Sequence, residues 1–66
     1  MRIYVNGEAR EVPDDCTAER LVELLDLTGR RLAMEVNLDI VPRSAYASHR
    51  FNPDDRVEIV HAIGGG

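Results

Sequence analysis

Apolar and polar residues alternate at both ends of the chain and fall into a helical period between them. In RIYVNGEAREV, Ile3 and Val5 alternate with Arg2 and Tyr4 until Asn6-Gly7 interrupts the run. Alternation marks a strand with one buried face, and Asn-Gly is a strong two-residue hairpin signal because both residues tolerate positive φ. The pattern predicts a β-hairpin. A two-residue loop puts Arg10 opposite Ile3, on the face meant for the core. A polar second arm fits best at a sheet edge, where charge also discourages further pairing.

Pro13 closes that arm. From Ala18 the period changes: Ala18, Leu21, Val22 and Leu25 recur at i, i+3, i+4 and i+7, the buried stripe of a helix. Thr17 suits the N-cap, Glu19 complements the helix dipole, and Gly29 is the expected stop, which predicts a helix over Ala18 to Thr28. Arg30-Arg31 follows, where cations suit the negative end of the dipole. Alternation returns with Leu32, Met34 and Val36 on one face. Asn37-Leu38-Asp39 reads as a turn and Ile40-Val41-Pro42 as a short strand. One helical turn is expected near Ser44–Ala47, with Tyr46 and Phe51 packing inward. Asn52-Pro53-Asp54-Asp55 matches a type I turn with Asn52 at its first position. In the last strand Val57 and Ile59 share one face, and Glu58, Val60 and Ala62 the other.

The predicted order is β-β-α-β-β-turn-β. One amphipathic helix then covers one face of one mixed sheet of about five strands, an α+β two-layer domain. The most economical arrangement is a β-grasp with the first and last strands adjacent in the centre. The domain is expected over residues 1–63, with 64–66 as a flexible glycine tail. Val60 falls on the face the helix cannot cover, and apolar residues there suggest a patch that wants a partner.

Composition narrows the chemistry. The chain has 66 residues and a net charge of −4. So small a domain has no room for a deep cleft, which argues against an autonomous enzyme. The acidic balance argues against nucleic acid, which wants a basic stripe. Cys16 is the one cysteine, which excludes an internal disulfide and a cysteine zinc site. It reads as a packed residue, His49 as solvated and His61 as structural. The pairs Asp14-Asp15 and Asp54-Asp55 sit where turns and caps are expected, so no metal site is assigned. An opening without a signal-peptide pattern, and no apolar run long enough to span a membrane, suggest a cytoplasmic protein with no membrane partner.

The sequence closes on VEIVHAIGGG. A glycine backbone passes where any Cβ would collide, so Gly64 and Gly65 could thread Gly66 into another protein's active site. An α-carboxylate is ionised at neutral pH and is a poor electrophile. Adenylation would turn it into a mixed anhydride, which a sulfur or amine nucleophile could open.

The segments MRIYVNGE, CTAERLVELL, LAMEVNLDIVPRSAYA and DDRVEIVHAIGGG together resemble the ThiS family of sulfur carriers in thiamine thiazole biosynthesis, over essentially the whole chain. The resemblance implies a ubiquitin-like β-grasp fold and a carrier rather than an enzyme. It implies that Gly66 is the acyl attachment point, with Gly64 and Gly65 as the threading segment and Val60, Ala62 and Ile63 near the docking surface. The implied partners are a ThiF-like adenylyltransferase, a sulfur relay protein and a ThiG-like thiazole synthase. No cofactor is bound on this reading; ATP is used by the adenylating partner. A carrier for molybdopterin or another thiocarboxylate pathway, and a passive β-grasp interaction module, remain as alternatives.

Overall fold

The structure is a computed structural model and describes residues 1–61. Strands β1 (Arg2–Val5) and β2 (Glu8–Glu11) form the hairpin, followed by helix α1 (Ala18–Leu24). Strands β3 (Leu32–Val36) and β4 (Asp39–Val41) precede a 3₁₀ turn at Arg43–Ala45 and strand β5 (Arg56–His61). The sheet order is β2-β1-β5-β3-β4. Strands β1 and β5 are parallel, while the other neighbours are antiparallel. This is the mixed, five-stranded α+β arrangement expected from the pattern, with the first and last strands side by side.

Asn6 and Gly7 both take positive φ, 50° and 86°, as the hairpin requires. The register places Ile3 opposite Arg10, and all of β2 is exposed at the sheet edge. Asn6 also does something a turn residue need not do. Its Nδ2 donates to the Ile59 carbonyl at 3.1 Å, and its Oδ1 accepts from the Ile59 N–H at 2.9 Å. The side chain thus extends the β1–β5 ladder past Val5 and seats the middle of β5. Asn6→Ala removes both bonds and puts an ordinary side chain at positive φ, so it should cost about 2–3 kcal/mol in urea unfolding. Asn6→Gly keeps the turn and should lose only about 1–2 kcal/mol.

Helix α1 starts as expected: Thr17 Oγ1 accepts from the Arg20 N–H at 3.1 Å. It ends earlier than Thr28. Asp26, at φ 60°, takes the left-handed position that a glycine usually fills. Its N–H donates to the Glu23 carbonyl and that of Leu27 to Val22, the two bonds of a Schellman motif. Leu27 is thereby returned to the core cluster. Gly29 instead serves the next turn, where Arg30 N–H donates to the Leu27 carbonyl. Arg30-Arg31 therefore lies beyond the helix and does not complement its dipole.

The core contains Ile3, Ala18, Leu21, Met34 and Val57, each no more than 1% exposed, with Tyr46 and Phe51 packed inward as expected. The 3₁₀ turn sits one residue before the predicted helical turn. His49 is half-buried and packs edge-on against Phe51 at 5.6 Å, which replaces the expected solvated position. The Asn52–Asp55 turn has φ 67° at Asp54, a type II feature rather than type I. Asp55 is buried and accepts from the Asn52 N–H at 2.8 Å and Asn37 Nδ2 at 3.0 Å.

Candidate functional site

The helix packs on one side of the sheet, and the other side is open. Strand β5 alternates across this boundary: Val57 and Ile59 are buried, while Val60 is 69% exposed. Val60 stands opposite Ala33 on β3, and one row earlier Glu58 stands opposite Glu35, which in turn faces Ile40 on β4. Ile40 is 78% exposed and Leu38, in the β3–β4 turn, 81%. The open face thus places two apolar side chains beside a pair of directly opposed carboxylates. Like charges opposite each other across strands repel, so a cation from a partner would relieve the pair. At the other end of the face the Arg56 guanidinium lies 5.6 Å from the centre of the Tyr4 ring.

Val60 is where the sequence placed it. Ala62, Ile63, Gly64, Gly65 and Gly66 lie outside the described residues, as does the expected domain boundary after residue 63. Ile40, Glu35 and Glu58 were missed as members of the site. The signal for Ile40 was available: a two-residue turn at Asn37-Leu38, both at positive φ, fixes Ile40 opposite Glu35 and hence on the open face.

On the helix side, His61 is half-buried at the end of β5 and borders a shallow cleft with Asn6, Arg10, Leu25 and Leu27. Cys16 is a free thiol, 1% exposed, whose Sγ donates to the Thr17 carbonyl at 3.4 Å. Burial pushes the Cys16 thiol up from its ordinary pKa, which disfavours the thiolate. That environment fits a packing residue and not a nucleophile. Among the described residues, no helix is long and apolar enough to cross a membrane.

The geometry is therefore a small scaffold with a partly apolar open face, whose central strand leads toward the glycine end. The family model for the ThiS family matches residues 3–66. The chain belongs to the ThiS family. It is 32% identical to the sulfur carrier protein ThiS of Escherichia coli over 66 residues, covering 100% of both chains. It is 44% identical over 66 residues to a thiazole synthase of Paramagnetospirillum magneticum, but it covers only 20% of that protein's length. A crystal structure of the thiamine biosynthesis protein ThiS from Geobacter metallireducens superimposes with a TM-score of 0.83 at 25% identity, over 100% of both chains. The five-stranded sheet with one helix is thus the ThiS β-grasp, and the open face is a face of that fold.

Proposed function

We propose that the chain is a sulfur carrier for thiazole formation in thiamine biosynthesis and acts as a substrate of its partners rather than as a catalyst. The observation that carries this reading is a ThiS match that runs through the glycine end to residue 66. A carboxylate oxygen of Gly66 attacks the α-phosphorus of ATP in a ThiF-like adenylyltransferase, and pyrophosphate leaves. A hydrosulfide equivalent from a sulfur relay protein then attacks the acyl carbon. The bond to AMP breaks, AMP leaves, and sulfur replaces one carboxylate oxygen. Gly64 and Gly65 thread this end into the partner, while Val60, Ala62 and Ile63 contribute to docking.

A ThiG-like thiazole synthase is the proposed acceptor. The match to a fifth of a thiazole synthase favours it over a molybdopterin-forming partner, because that relative carries a region like this chain within one polypeptide. The test is reconstitution with ATP, a ThiF-like enzyme and a sulfur donor, followed by capture on a ThiG-like protein. Exchange of one oxygen for sulfur and retention on that protein are expected. An unchanged mass with a competent enzyme would count against the reading.

Docking can be tested apart from chemistry. Val60→Asp places a third carboxylate near Glu35 and Glu58 on an exposed surface. It should weaken binding to the adenylyltransferase at least about tenfold, roughly 1.4 kcal/mol, in calorimetry. Its stability to thermal unfolding should fall only modestly, by about 1 kcal/mol or less from the added carboxylate and the poorer strand propensity, because Val60 is 69% exposed in the folded chain.

A further inference from the structure

The eight basic residues of the chain are all arginine. We infer that this chain carries its positive charge in a non-nucleophilic form so that an acyl group activated at Gly66 is not consumed by the chain itself, and that Arg31 is the position where this matters most. The inference rests on the carrier reading above.

The hazard is specific. A neutral amine attacks the acyl carbon of the adenylate, a C–N bond forms as the C–O bond to AMP breaks, AMP leaves, and the amine proton passes to buffer. The product is an amide that no sulfur donor reopens, lighter than the starting chain by one water. A lysine at pH 7 is free base in roughly 4 × 10⁻⁴ of molecules, and a guanidinium in at least about a hundredfold fewer. A group tethered by a short chain segment meets its neighbours at roughly millimolar effective concentration, so even a small free-amine fraction competes with a partner's sulfur.

Strand register and chain length indicate where such an amine would be within reach. Arg31 is exposed and directly precedes Leu32, the cross-strand partner of His61. It therefore stands at the sheet end from which the chain continues toward Gly66. Five residues beyond His61 span at most about 17 Å.

The other strong nucleophiles are withdrawn. The Met1 amino group precedes β1 at the opposite end of the sheet, since parallel pairing aligns Tyr4 with Arg56. On that register Met1 and His61 are separated by roughly 26 Å along the strands. The amino group also donates to the Val12 carbonyl at 2.7 Å and to Asp14 Oδ1 at 3.0 Å. The hydrogen bond to Asp14 raises its pKa and so favours the protonated, non-nucleophilic form. The Cys16 thiol is 1% exposed and lies at the start of α1. The imidazole of His61 would form an acyl-imidazole, which water or a thiol reopens, so it does not trap the acyl group.

The test uses the full chain prepared as a small-molecule thioester at Gly66, so that no partner enzyme is needed. Wild type, Arg31→Lys and Arg20→Lys are held at mildly alkaline pH and followed by intact mass. Arg20 lies in the first turn of α1, at the helix end away from the Leu25 and Leu27 that border His61. The lysine amine displaces the thiol, with loss of a proton to buffer. Arg31→Lys should give at least about a hundredfold more of the chain linked between Gly66 and residue 31 than wild type, following the ratio of free-base fractions. Wild type should hydrolyse with no branched peptide on digestion, and Arg20→Lys should link more slowly than Arg31→Lys. Equal yields in Arg31→Lys and wild type, or linkage in Arg20→Lys as fast as in Arg31→Lys, would overturn the inference. A parallel arm with ATP and the adenylyltransferase separates it from the carrier reading. If the thioesters behave as expected but no chain is adenylated, the carrier role falls and the chemical inertness of the chain stands.

Discussion

Deletion of Gly65 and Gly66 is expected to abolish sulfur loading while leaving the folded domain intact. The reason is geometric as well as chemical. The truncated chain still ends in a carboxylate, but that carboxylate belongs to Gly64 and stops roughly 7 Å short. A nucleotide held in a partner's active site is then out of range, and misplacement by even about 1 Å can cost a hundredfold in rate. Intact mass after reconstitution should show no adenylate and no thiocarboxylate. Urea unfolding should shift by less than about 0.5 kcal/mol, because the two residues removed are glycines with no side chain to bury. Full function of the truncated chain in thiamine formation, with no sulfur loaded, would leave only a passive interaction module.

The second large effect concerns stability. Leu21→Ala should cost about 3–5 kcal/mol in urea unfolding, because Leu21 is fully buried where α1 meets the sheet and the cavity cannot easily collapse. A chain of 66 residues is expected to have roughly 3–10 kcal/mol in total. The variant should therefore be largely unfolded near 37 °C or melt far below the parent in calorimetry. The neighbouring Leu24, 46% exposed, is the control, and Leu24→Ala should cost less than about 1 kcal/mol.

Those two results would separate what holds the domain together from what it carries, and the sequence marks both unequally. Periodicity made the architecture legible: the alternation around Ile3 and Val57 and the helical stripe of Ala18, Leu21 and Val22 each encode one buried face. What failed were local signals outweighed by contacts distant in the chain. Gly29 is the stronger helix stop by propensity, yet the helix turns at Asp26 because that geometry returns Leu27 to the core. The turn at Asn52 reads as type I until the buried Asp55 carboxylate, held by Asn37 and Asn52, is counted. Asn6 was legible as a turn residue but not as a clamp on Ile59, since that contact joins positions 53 apart.

The site was legible in a different way. Val60 follows from alternation alone, once a single helix must leave one face uncovered. Ile40 follows from the short turn between β3 and β4, whereas the opposed carboxylates of Glu35 and Glu58 depend on which strands are neighbours and cannot be read from either segment by itself. The proposed attachment end is marked by chemistry rather than by packing, because glycine has no side chain from which a pattern could be drawn.

The most direct measurement of the central claim is the intact and fragment mass of this protein purified from cells that are making thiamine. The account predicts a fraction of molecules in which one oxygen is replaced by sulfur, with the change confined to fragments containing Gly66. A protein that never carries that exchange in such cells, or carries sulfur only at Cys16, would contradict it.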